Sequence, residues 1–196
     1  MCALFVVLAV VLESFIYSDR EVHVLNATIM VGTLSYFFYL YRERSQIDSL
    51  TGTYNRETYY HDLVKMEKTV NGVVQFDMNG LKYINDNFGH FEGDKAISTI
   101  AQIIMKYAKR NMYVYRLGGD EFLLLAVNVN EDDILNIISK IKEDIGRTDY
   151  YCSIGYAYKG NRVLSLYDLC KEAEKSMYED KANFYKNSPF ERRKAE

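Results

Sequence analysis

From Met112 to Val127 the chain carries two runs of strand-forming residues around a glycine pair: Met112-Tyr113-Val114-Tyr115, then Gly118-Gly119, then Phe122 to Val127. Strands joined across adjacent glycines form a β-hairpin, because glycine alone takes positive φ without steric cost. A hairpin does not need the two adjacent carboxylates that follow the glycines, Asp120 and Glu121. Successive strand residues point to opposite faces, so these acids splay around the hairpin tip. The small glycines leave room for a phosphate or a metal ion to reach the backbone. The plain alternative is that polar residues cap a tight turn.

The remaining chain bounds what this hairpin can belong to. A length of 196 residues suits one ordinary domain plus an appendage. A net charge of −3 argues against a nucleic-acid polymer as partner. Cys2, Cys152 and Cys170 share no metal-ligand spacing, which points to free thiols in a reducing compartment.

The first 41 residues are mostly apolar. Cys2–Tyr17 is interrupted only by Glu13 and Ser14, and Val22–Tyr41 has His23 as its single titratable group before an aromatic end, Tyr36 to Tyr41. A bilayer crossing takes about 20 apolar residues, so these runs are expected to form a membrane helical hairpin over 1–41, joined by Ser18–Glu21. Arg42 and Arg44 follow directly, and the positive-inside rule then sets the rest of the chain in the cytoplasm, at the inner (plasma) membrane. Residues 42–47 are expected to form a short linker helix.

Downstream, periodicity predicts a helix over Glu57–Lys68 with Tyr60, Leu63, Val64 and Glu67 on one side, and a buried strand Val73–Asp77. A short helix stopping at Gly89 follows, then an amphipathic helix Lys95–Arg110 with Ala96, Ile97, Ile100, Ile103, Ile104 and Tyr107 inward. Glu131–Ile145 is a helix with Ile134, Leu135, Ile138, Ile141 and Ile145 inward; Tyr151–Tyr158 reads as a central strand, and 187–196 as a loose tail. Helices interleaved with a sheet give an α+β fold. Asp77 alone would be a helix cap. Beside Asp120 and Glu121 at one sheet end it becomes part of a carboxylate group that repels itself unless a cation sits between. Mg²⁺ favours such oxygen ligands together with substrate phosphates.

The heptad Arg116-Leu117-Gly118-Gly119-Asp120-Glu121-Phe122 resembles the signature of the GGDEF family, the diguanylate cyclases. The resemblance runs over 48–186 and includes the opening motif Asp48 to Arg56, Asn85-Asp86-Asn87-Phe88-Gly89-His90, Gly93-Asp94, Ser153-Ile154-Gly155 and the last helix Leu169–Lys181. It implies a sheet of the nucleotidyl-cyclase and polymerase-palm kind flanked by helices. The implied activity joins two GTP molecules into cyclic di-GMP in a homodimer, by nucleotidyl transfer assisted by two Mg²⁺ ions, or Mn²⁺ in their place. Asp77, Asp120, Glu121 and the Met78 carbonyl correspond to the family's metal ligands, the three acids also being its catalytic residues. Asn85 and Asp94 correspond to guanine-reading positions, and Lys82 and Lys181 to phosphate contacts beside Gly118 and Gly119. Read alone, Asp94 is a first-turn helix acid and each lysine a solvent-facing one.

Three departures from the family pattern stand out. Asn79 replaces a usual second Asp; Ala182 to Lys186 lacks the usual glycine and basic residue, with Lys186 one place late; and Lys109 and Met112 stand where an Arg-x-x-Asp product-binding motif is common. The last departure implies weak product inhibition. The rival reading is a GGDEF module without catalysis that senses GTP or a cyclic dinucleotide.

Overall fold

A computed structural model of the chain describes residues 7, 11, 20–44 and 46–187, which divide into two units, Met1–Gln46 and Ile47–Glu196. The first unit contains helix α1, Arg20–Arg44. Phe37 stacks on Tyr41 one turn away at 6.3 Å, and the surrounding Tyr36, Phe38 and Tyr39 are exposed. The second apolar run is thus helical, but among the described residues no helix is long and apolar enough to cross a membrane. Thr28, Gly32, Thr33 and Ser35 break up its apolar surface. The expected membrane hairpin is therefore not supported: Cys2–Tyr17 lies outside the described residues except Val7 and Val11, and Arg20 and Glu21 belong to α1 rather than to a connector. Nor is there a separate linker helix, since residues 42–44 end α1 and Ile47 already pairs with Tyr54.

The second unit is built on a four-stranded antiparallel sheet of β1 (Val70–Asn79), β2 (Met112–Gly118), β3 (Glu121–Val127) and β4 (Tyr151–Tyr158), in the order β2-β3-β1-β4. The helices are α2 (Arg56–Met66), α3 (Leu81–Phe88), α4 (His90–Tyr107), α5 (Glu131–Ile145) and α6 (Leu166–Asn187). Alternation along β1 sends Val74, Phe76 and Met78 to one face, where they meet Ile97, Ile100 and Ile104 of α4 and Ile134, Ile138 and Ile141 of α5. On the other face Val73, Tyr115, Leu123, Leu125 and Ala157 pack with Tyr59 of α2 and Leu166, Leu169 and Ala173 of α6. Both faces are covered, as an α+β sandwich requires.

Several local expectations shift. Strand β4 is an edge strand, not a central one. Its outward Ile154 N–H is satisfied by the Asp180 carboxylate of α6 at 2.8 Å, which blunts that edge. The opposite edge is covered by Tyr54, whose N–H donates to Val114 and whose carbonyl accepts from Arg116. Helix α2 buries Tyr59 and packs Leu63 and Met66 inward, while Tyr60 and Val64 are exposed, so its apolar face is rotated by one residue from the expected one. In α5 it is Ile137 that is buried, and Leu135 is exposed. Helix α4 starts at His90, directly after Gly89 at φ 87°, and not at Lys95.

Candidate nucleotide and metal site

Asp77 lies near the end of β1 and directly opposite Glu121, the first residue of β3; across its other edge it faces Ser153. The β2–β3 connection is the two-residue loop Gly119-Asp120, with Gly119 at φ 28°. The Met78 N–H donates to the Asp120 carbonyl at 3.1 Å, which fastens the loop to β1. Asp77 and Met78 are thereby brought to one sheet end with Asp120 and Glu121, more than 40 residues further along the sequence. Gly118 and Gly119 are exposed, and a methyl group built on either would meet nothing within 4 Å. The space beside the acids is open.

Arg116 holds the loop in place. Its Nε and Nη2 donate to the Gly119 carbonyl at 3.1 and 2.7 Å, and its Nη1 donates to Asp48 Oδ1 at 3.0 Å. Asp48 also accepts from the Thr51 amide and hydroxyl at 3.0 and 2.7 Å. Burial raises the Asp48 carboxyl, but the bonds from Thr51 and Arg116 outweigh it and hold the group below the usual carboxylate range. The opening motif, to which sequence reading assigned no chemistry, is thus the support of the hairpin tip. The signal was there as a motif; a partner 68 residues away was not.

The charges at the sheet end are poorly balanced. Asp77 is 5% exposed, and its Oδ1 accepts from Lys181 Nζ of α6 at 2.5 Å. Burial still lifts the Asp77 carboxyl above its ordinary range against the pull of Lys181, with Asp120 adding to the lift. Glu121 is raised by burial and then by Asp77 and Asp120, with Lys181 opposing. Among the described residues no set of three His, Cys, Asp or Glu side chains stands in metal-holding geometry; Asp77 is bonded to Lys181 instead. Their chemistry nevertheless suits a hard divalent cation, since the donors are carboxylates with a backbone carbonyl at the same strand end, and added positive charge would offset the burial and the mutual repulsion that raise Asp77 and Glu121.

Next to Asp77 on the same strand face, Asn79 is 3% exposed and donates to Ser153 Oγ at 2.7 Å, leaving its Oδ1 buried without a partner. On α6, Tyr185 lies one turn beyond Lys181 and packs on Phe184 at 5.3 Å, which in turn meets Tyr151 at 5.2 Å. Lys186 is exposed, and five helical residues rotate it roughly 140° from Lys181. It does not share the face that carries the lysine on Asp77.

The remaining expected residues form a second group on α3 and α4. Lys82 is exposed on the first turn of α3. Asn85 is half-buried, with its carbonyl accepting from the Gly89 amide at 3.0 Å and its side chain against Gly93 of α4. Asp94 follows Gly93 and is exposed, a turn inside α4 and not a first-turn acid. Lys109 pairs with Asp133 at 2.7 Å and Met112 is buried in the core.

Known proteins bear on this arrangement. The family description "Diguanylate cyclase, GGDEF domain" matches residues 45–187. The chain is similar to the probable diguanylate cyclase DgcJ of Escherichia coli K12, 32% identical over 84% of this chain and 35% of that protein. It is also similar to the cyclic di-GMP phosphodiesterase PdeR of the same organism, 29% identical over 67% of this chain and 22% of that protein. The chain therefore spans about a third or less of these relatives' length. Its fold is shared with the coiled coil and GGDEF domain of DgcB from Caulobacter crescentus, solved in complex with c-di-GMP. There the TM-score is 0.75 at 20% identity, over 83% of this chain and 94% of that one.

Proposed function

The chain belongs to the GGDEF-domain family of diguanylate cyclases, and from that membership we propose that it condenses two GTP molecules into cyclic di-GMP. Each of two chains in a homodimer would hold one GTP. Each ribose 3′-hydroxyl attacks the α-phosphorus of the other nucleotide, so that two phosphodiester bonds form and two pyrophosphates and two protons leave. One site cannot close this ring, which is why the reading needs a two-fold pair of chains.

Asp77, Asp120, Glu121 and the Met78 carbonyl would hold two Mg²⁺ ions, or Mn²⁺. Such ions would make the 3′-hydroxyl more acidic and stabilise the departing pyrophosphate. The protein's own contribution is orientation and charge. Asp94 accepts from the N1–H and N2–H₂ of guanine, a pattern adenine lacks, and Asn85 supports the same edge. Lys181 exchanges Asp77 for the triphosphate, and Lys82 contacts the phosphates from α3. Open backbone at Gly118 and Gly119 lets the α-phosphate come close. Because Lys109 and Met112 are committed to an ion pair and to the core, no strong product inhibition is expected at that position. A cytoplasmic setting is the one that fits GTP as substrate.

The observation that carries the reading is the direct cross-strand pairing of Asp77 with Glu121 beside an open glycine loop. Incubating the full chain with GTP and Mg²⁺ and resolving products by chromatography tests it. Cyclic di-GMP should accumulate with wild type and fall at least about a hundredfold with Glu121→Ala, the scale of losing a transition-state charge partner. A second reading, a module that binds nucleotide without catalysis, is favoured by the engagement of Asp77 with Lys181. It would show as GTP binding without any product.

A further inference from the structure

We propose that Gly93 is a positioning residue for base recognition: its missing side chain is the seat of the Asn85 amide. This rests on the proposed reading of Asn85 as a guanine contact. A Cβ built on Gly93 would lie 1.9 Å from Asn85 Oδ1, 2.9 Å from its Cγ and 3.4 Å from its Nδ2. Gly93 is buried and sits inside α4, where its negative φ makes no demand for glycine. Glycine is among the poorest helix formers at such a place, weaker than alanine by roughly 0.5–1 kcal/mol. Local helix stability therefore does not explain it; the space it leaves does.

The Asn85 side chain occupies that space next to Asp94, the other base contact. Gly89 fixes the approach, because its φ of 87° turns the chain from α3 directly into α4 and its amide returns to the Asn85 carbonyl at 3.0 Å. The two helices are thus close enough for one amide to rest on the bare backbone of the other. What a methyl group at residue 93 meets is the tip of a side chain, which can rotate away. The cheap response is for Asn85 to leave its position while both helices stay folded.

That combination gives a test on the full chain. Binding of a non-cyclising GTP analogue (α,β-methylene GTP) with Mg²⁺ is measured by calorimetry for wild type, Gly93→Ala, Asn85→Ala and the double variant, alongside Tm and binding of Mg²⁺-tripolyphosphate. Asn85→Ala and Gly93→Ala should each weaken the analogue roughly tenfold, the scale of one lost base hydrogen bond. The double variant should be no weaker than Asn85→Ala alone, because both act through one side chain. Tm should hold or rise in Gly93→Ala, and tripolyphosphate binding should stay within about twofold in all four. Full additivity in the double variant, or unchanged analogue binding in Gly93→Ala beside a weakened Asn85→Ala, overturns the positioning role alone. Unchanged binding in Asn85→Ala overturns it together with the guanine reading on which it rests.

Discussion

Gly155 sets how closely α6, the helix that carries Lys181, lies on the sheet. A Cβ built there would stand 2.0 Å from the Met177 amide nitrogen, 2.4 Å from the Ala173 carbonyl oxygen and 2.6 Å from the Met177 Cα. All three are backbone atoms of α6, so no rotamer change relieves the overlap. Reaching an ordinary contact of 3.4 Å from 2.0 Å requires a lift of about 1.4 Å. Leu169, Ala173 and Met177 are each 0% exposed beneath that helix, and lifting it loosens all three. Overpacking alone costs typically 1–3 kcal/mol; with the loosened contacts, Gly155→Ala should cost about 3 kcal/mol or more of unfolding free energy, a large share of the usual 5–15. Gly72 is the control, because its Cβ would meet the movable Cδ1 of Ile134 at 2.3 Å, and Gly72→Ala should cost about 1 kcal/mol. Gly118→Ala, in open space, should change stability by less than about 0.5 kcal/mol. Urea unfolding followed by circular dichroism measures all three. A Gly155→Ala cost below that of Gly72→Ala would refute the argument that backbone contact at this glycine sets the position of α6.

Three further outcomes follow from the geometry. Arg116→Ala and Asp48→Ala should each cost roughly 1–3 kcal/mol, and their double-mutant cycle should show coupling of at least about 1 kcal/mol, since one half-buried charge-assisted bond joins them. Acid titration of the cation-free protein should show opposite linkages. Asp48, held low, gives stability that is present above its unfolded pKa and lost as pH falls through its folded one; Asp77 and Glu121, held high, oppose folding once ionised and are relieved as pH falls through their folded values. Accordingly Glu121→Gln should raise the Tm of cation-free protein at pH 7 and leave it unchanged at pH 3. Finally, a large excess of cyclic di-GMP added at the start should leave the rate of GTP conversion within about twofold, measured as pyrophosphate release; inhibition at low product concentration would contradict the assignment at Lys109 and Met112.

The parts legible in the sequence were those set by local pattern. The glycine pair between two apolar runs gave the hairpin, and the isoleucine periodicity of Glu131–Ile145 and the aromatic-rich Tyr151–Tyr158 gave both elements with their observed bounds. What failed needed tertiary information. Helix α2 offers nearly equal apolar stripes one residue apart, and only contact with Tyr115 and Leu123 selects the one through Tyr59. Strand β4 reads as central because its residues are apolar, yet what covers them is α6 on one face and an aspartate side chain along the edge. The bond between Lys181 and Asp77 spans 104 residues and leaves no local trace. Lys186 was a plausible stand-in for a basic residue by position in sequence alone; helical phase turns it outward.

The central claim is the grip of acids from β1 and from the hairpin tip on divalent ions beneath a bound guanosine triphosphate. Its most direct measurement is the number of Mn²⁺ ions held by the full chain, counted by electron paramagnetic resonance with saturating α,β-methylene GTP. Two ions per chain are expected in the wild type, and loss of at least one in both Asp77→Ala and Glu121→Ala with nucleotide still bound. An ion count that neither substitution changes would contradict it.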